Sequence, residues 1–141
     1  MSVRVWPACR PWVALSLAAM ACAEGAGPDS VDVAAAYGEP FRLAVGERAR
    51  VGERFLATFA RVAEDSRCAG GARCAEPGSA AVVLAVEDEA GSATLTLHTG
   101  RTPRRVSAAG HAVELVGLSP ESAPGDDPAR YQATLVVTRV R

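Results

Sequence analysis

From Tyr37 to the C-terminus the chain is written in short runs of alternating apolar and polar residues, each closed by a turn signal. Phe41, Leu43 and Val45 alternate with Arg42 and Ala44 before Gly46-Glu47, the two-residue period of a half-buried strand. Arg50-Val51 is a brief extended piece ahead of Gly52. Phe55 to Glu64 reads as a longer strand whose apolar phase slips between Phe59 and Val62, which predicts a bulge near Ala60-Arg61. Ala80 to Val86 is apolar almost throughout, as a strand covered on both faces must be. An acidic turn, Glu87-Asp88-Glu89-Ala90-Gly91, leads into Ala93 to His98, where Leu95 and Leu97 alternate with Thr94 and Thr96 as a hairpin partner. Ala112 to Leu118 and Tyr131 to Val140 supply two more strands. Between them Ser119 to Ala129, with Pro120, Pro124 and Pro128, is an exposed loop. No window keeps a 3.6-residue period. The pattern predicts an all-β fold: a small single-domain β-sandwich or partly open barrel of about six or seven mostly antiparallel strands.

The chain ahead of Tyr37 is of another kind. Arg4 and Arg10 precede the apolar run Trp12 to Ala21, which ends in small residues around Cys22, giving residues 1–23 the layout of an export signal. The run is about half of what a bilayer-spanning helix needs. Two cleavage sites compete. Ala19-Met20-Ala21 and Ala21-Cys22-Ala23 are both A-x-A sites for ordinary secretion. Alternatively, Ala19-Met20-Ala21-Cys22 resembles a bacterial lipobox, with Ala19 where leucine is usual, and Cys22 becomes a lipidated first residue. Cysteine parity bears on the choice: Cys9 leaves with the signal and Cys68 and Cys74 can pair, which leaves Cys22 odd unless it is lipidated or removed by cleavage after Ala23. Residues 24–36, with Gly25, Gly27, Pro28 and Ala34-Ala35-Ala36, are too small and polar to build a core and read as a flexible tether. Residues 37–141 then form the β-domain. The expected address is extracytoplasmic: a membrane-anchored lipoprotein of the bacterial cell envelope, or otherwise a secreted or periplasmic protein.

Charge narrows the partners. Without Arg4 and Arg10, thirteen arginines face sixteen acids, so the exported part carries a net charge of −3. That argues against nucleic acid or anionic lipid as the main partner, since both need a basic patch. The chain has no lysine, asparagine or isoleucine, which matches the codon bias of a GC-rich genome and makes arginine the default base rather than a selected one.

The most specific element is Asp65-Ser66-Arg67-Cys68-Ala69-Gly70-Gly71-Ala72-Arg73-Cys74. Five residues, two of them glycine, separate the cysteines, so the loop can fold back and a disulfide staple is expected. Zinc needs two further ligands, with only His98 and His111 to supply them, and the spacing is wider than a metal knuckle. Redox chemistry of the thioredoxin kind needs C-x-x-C. Together with Gly78, Ala80 and the strand that follows, this segment resembles a group of small bacterial envelope proteins, often lipoproteins, with a D-S-R-C-P-x4-C-x-W-x-G-x-A pattern. Strands like Phe41 to Val45 and Tyr131-x-Ala133-x-Leu135 extend the resemblance over most of the exported chain. It departs at Ala69, in place of the proline, and at Glu76, in place of the tryptophan. The resemblance implies fold and location; it carries no activity.

Asp65, Ser66 and Arg67 at a strand end suit loop bracing, the carboxylate and hydroxyl accepting backbone N–H groups and the guanidinium forking onto a carboxylate or carbonyls. Arg67 and Arg73 flanking the staple are the alternative, a recognition pair. His98 ends one strand and His111 begins another, so with Glu114 they form a weak metal alternative. Glu87-Asp88-Glu89 is read as a solvated acidic turn rather than a calcium site, and Arg101, Arg104 and Arg105 around Pro103 as a basic turn. No nucleophile has an identifiable base. The chain is expected to be non-enzymatic and without a cofactor: a module that binds an envelope protein or polymer, or, as the alternative, a small-ligand or metal-binding domain.

Overall fold

A computed structural model describes residues 32–69, 73–124 and 127–141. The export signal with Cys22, the first part of the expected tether and Gly70-Gly71 of the cysteine loop lie outside the described residues.

Nine strands form two facing sheets. They are β1 (Val33–Ala35), β2 (Pro40–Ala44), β3 (Arg48–Val51), β4 (Phe55–Asp65), β5 (Ala80–Asp88), β6 (Gly91–His98), β7 (Arg105–Ala108), β8 (His111–Ser119) and β9 (Gln132–Arg139). One sheet runs β1-β3-β4-β5-β6 and the other β2-β9-β8-β7, and the two do not join into a barrel. The all-β sandwich expected from the alternation is therefore present, with nine strands rather than six or seven. Every pairing between these strands is antiparallel except β1 with β3, and an isolated parallel bridge joins Ala69 to Ala123.

The core lies between the sheets. Phe55, Phe59, Leu84, Leu97, Leu115 and Leu135 are its largest fully buried members, and no polar residue is buried with them among the described residues. Bulges keep the apolar face inward on the long strands. In β4 the register with β5 shifts between Phe59 and Arg61, at the position the phase slip predicts, and again between Val62 and Glu64. The first shift turns Arg61 out and Val62 in, and the second restores the phase so that Asp65 points inward beside Ala80. In β8 a shift between Leu115 and Gly117 leaves Val116 half-exposed and returns Leu118 to the core. β5 is buried from Ala80 to Leu84 on both faces, with Arg61 and Thr96 standing either side of Val83 on the outer one.

Two short strands escape the sequence pattern. β1 lies inside the expected tether, so the folded part starts before Tyr37. It adds to the edge of β3, and the Asp32 carboxylate at its start receives Arg48 at 2.6 Å and Arg50 at 2.9 Å. β7 begins at Arg105, in what reads as a basic turn, and buries only Val106 and Ala108 partway.

Candidate functional site

The sandwich has two chemically distinct ends. Asp65, Ala80, His98 and Ser119 stand at one, and Phe55, Asp88, Gly91 and His111 at the other. Along β5, from Ala80 to Asp88, the ends are about 26 Å apart, at about 3.3 Å for each residue of strand.

At the first end the strand-to-loop junction after β4 is clamped by Arg67. Its Nε donates to Asp65 Oδ1 at 2.9 Å and one terminal nitrogen to Asp65 Oδ2 at 2.7 Å, a two-pronged fork. The other terminal nitrogen donates to the carbonyls of Leu118 at 3.1 Å, on the far sheet, and of Pro120 at 2.7 Å, just past the end of β8. Four of the five N–H groups of a guanidinium are thus used. Asp65 also accepts the Arg67 backbone N–H at 3.0 Å and the Tyr131 hydroxyl at 2.8 Å. The two charged side chains are 9% and 8% exposed, so this is a near-buried ion pair that closes one end of the core. Burial alone pushes the Asp65 carboxyl up; the bonds from Arg67 and Tyr131 outweigh it and hold it below the ordinary carboxylate value. The Asp65 carboxylate raises Arg67 against the opposing effect of its burial. Burial, followed by the hydrogen bond to Asp65, raises the Tyr131 phenol.

The neighbouring residues complete the junction. Ser66 N–H donates to the Ser79 carbonyl, and its hydroxyl bonds both the carbonyl and the N–H of Ser79, all at 3.0 Å. The chain can approach this closely because position 78 is glycine: a Cβ there would lie 1.7 Å from the Ser66 carbonyl oxygen. Ala80 follows, fully buried. Beyond the clamp the Cys68–Cys74 disulfide closes the loop, with Cα atoms 6.0 Å apart. The Cys68 carbonyl takes the Ala123 N–H at 3.3 Å, tying the loop to the segment after β8. Ala69, Arg73, Cys74, Ala75, Glu76 and Pro77 are exposed. Arg67 therefore points into the molecule and Arg73 out of it; the two do not form a flanking pair. The disulfide points to an oxidising, extracytoplasmic compartment, and among the described residues no helix is long and apolar enough to cross a membrane.

At the second end His111 is wedged between Tyr37, stacked at 5.4 Å, and Phe55, tilted at 4.5 Å. His111 Nδ1 donates to the Ala109 carbonyl at 2.7 Å, which leaves Nε2 to accept the Tyr37 hydroxyl at 3.1 Å. Asp88 Oδ2 stands 3.7 Å from Nδ1, and the Arg139 guanidinium covers the outer face of Tyr37 at 4.4 Å. An open cleft of about 360 Å³ lies here, with Glu53, Arg54 and Glu89 on its rim.

The metal alternative of His98, His111 and Glu114 is corrected by this geometry. β6 carries the chain to the first end, β7 returns it to the second, and β8 starts there, so the two histidines sit at opposite ends. Glu114 is three residues from His111 on β8, hence on the opposite face, and pairs with Arg105 at 3.5 Å. His98 Nδ1 instead accepts Arg101 at 3.2 Å. Among the described residues no cluster of three ligating side chains occurs. Tyr131, and the carbonyls of Leu118 and Pro120, are members of the clamp that sequence reasoning missed. The inward phase of Tyr131-x-Ala133-x-Leu135 is the one signal that pointed to the tyrosine.

Fold and site together define a two-sheet β-sandwich with a clamped, disulfide-closed loop at one end and an aromatic-floored cleft at the other. Comparison with protein-family models, with curated proteins and with solved structures yields no match.

Proposed function

We propose that this chain is an exported envelope protein, lipid-anchored through Cys22, whose β-domain is a non-enzymatic module that binds a protein partner through the disulfide-closed loop. The observation that carries the reading is a near-buried ion pair fixing the base of a loop whose described residues add nothing to the core. A loop whose base is fixed before contact loses less entropy on binding, which is a physical use of such a brace. Every retained position of the D-S-R-C…C…G-x-A pattern serves the frame: Asp65 and Arg67 clamp, Ser66 and Gly78 join, the cysteines staple and Ala80 packs. The two departures, Ala69 and Glu76, fall on the exposed crest, where specificity varies on a fixed scaffold. Arg73 is the recognition candidate and Arg67 the positioning residue.

Photo-crosslinking in native cells with a probe at exposed Ala75 tests this. One dominant protein adduct, lost on Arg73→Ala without a change in thermal midpoint, is the expected result. A folded, correctly located protein that traps nothing at Ala75 removes the loop reading. A second reading, small-ligand binding at the opposite end, is favoured by the cleft beside Tyr37 and His111. It calls for ligand-induced shifts of the His111 ring protons, with none at the loop.

A further inference from the structure

The four sheet edges are not treated alike. β1 is three residues long and begins beside the paired Asp32; β2 opens with Pro40 and has Arg42 at its centre; β7 is four residues long and begins at Arg105. Short strands, prolines and charges are the devices that keep an edge from pairing. β6 has none of them: Gly91-Ser92-Ala93-Thr94-Leu95-Thr96-Leu97-His98 is eight residues long, uncharged apart from its terminal histidine, free of proline and unbulged against β5.

Its outer edge is open. The Thr99 N–H bonds the Ala80 carbonyl, so by alternation Leu97, Leu95 and Ala93 direct their backbone groups to β5. Thr96, Thr94 and Ser92 then direct theirs away from the sheet. The outward N–H of His98 is already taken by the Pro103 carbonyl at 2.9 Å, which bounds the free edge at Thr96.

We propose that two copies of this chain pair through β6, antiparallel about a two-fold axis at Thr94, joining their five-stranded sheets into one. In this register Thr94 faces Thr94 and Ser92 faces Thr96, so all three free residues of each edge are used and about six backbone hydrogen bonds form. Side chains on the core faces stay on one side, threonine and serine meet threonine on the other, and no like charges oppose. The ends are compatible with the antiparallel direction. β6 runs from the Glu87-Asp88-Glu89 turn, whose Glu89 already pairs with Arg54, to the loop of Arg101, Arg104 and Arg105, whose Arg101 and Arg105 already pair with Glu64 and Glu114, and two-fold pairing sets the arginine-bearing end of each copy beside the carboxylate-bearing end of the other. The same pairing on β2 would set Arg42 against Arg42. The contact is isologous and closes on itself, giving a dimer rather than a fibre. The two disulfide loops face opposite ways and remain free, so the pairing stands independently of the loop's function.

Sedimentation velocity of the full chain in detergent solution, over a concentration series, tests the proposal with Thr94→Lys and Thr94→Glu. The wild type is expected to dimerise, and each variant alone to weaken the dimer by at least about tenfold, with unchanged circular dichroism. An equimolar mixture of the two variants restores it. A monomeric wild type, or a dimer that both variants leave intact, overturns the proposal. Loss in both variants without recovery in the mixture removes Thr94 from the axis and overturns the register.

Discussion

Replacing Arg67 with alanine tests the clamp most directly. The substitution deletes four hydrogen bonds and leaves a carboxylate that is 8% exposed, with only the backbone N–H at 67 and the Tyr131 hydroxyl as donors. Breaking a buried ion pair from one side costs about 3–5 kcal/mol, chiefly because the other charge is stranded. Asp65 sits at the rim of the sandwich, where water can enter after truncation, so the low end applies: about 3 kcal/mol. For a domain of this size that is a fall of roughly 12 °C in Tm. Urea unfolding followed by circular dichroism measures it. Adding Asp65→Ala removes the stranded charge, so the second substitution should cost about 2 kcal/mol less in the Arg67→Ala background than in the wild type. Arg67→Lys should recover only part of the loss, because an ammonium cannot fork onto Asp65 and reach both carbonyls. A loss under about 1 kcal/mol, or additive single effects in the cycle, would refute the clamp.

Two further outcomes follow from the same junction. Gly78→Ala drives a methyl into the Ser66 carbonyl and should destabilise by about 2 kcal/mol or more through forced separation of the two chain segments; a thermal midpoint equal to wild type would contradict the close approach. Stability should also fall at both pH extremes. The folded-state value of Asp65 lies below its ordinary 3.8, so its contribution is complete above that pH and drains as pH falls through the folded value. Tyr131 is raised above 10.0, so its contribution is complete below that pH and is lost as pH rises through the folded value. Urea midpoints against pH check both legs, and Arg67→Ala should flatten the acid one; an unchanged acid leg would place the titration elsewhere.

Much of the sandwich was legible because a strand with one wet face must alternate. Phe41 and Leu43, Leu95 and Leu97, and the run from Ala80 all announce themselves, and even the β4 bulge is visible as a slipped phase. β1 and β7 were not legible because edge strands of three and four residues bury too little to leave a period. Missing β7 had a consequence for the site, because that strand reverses the chain and sets His98 and His111 at opposite ends. The clamp was half legible. Asp65, Ser66 and Arg67 read as a brace from their local chemistry, but Tyr131 lies 66 residues from Asp65, and only tertiary packing brings its hydroxyl there. Whether Arg67 faces a partner or the protein is a question of burial, on which residue type is silent.

The parallel pairing of β1 has a mechanical meaning. Force applied through the chain ahead of Asp32 arrives at the one strand that runs parallel to its neighbour, at the rim of its sheet, with Val33 and Ala35 only half-buried. Its hold on β3 is three residues of ladder and two surface ion pairs. A pull entering at Asp32 and strong enough to break something would peel β1 while Phe55, Phe59 and Leu84 stay packed, so under such a load the first strand would act as a fuse for the folded body.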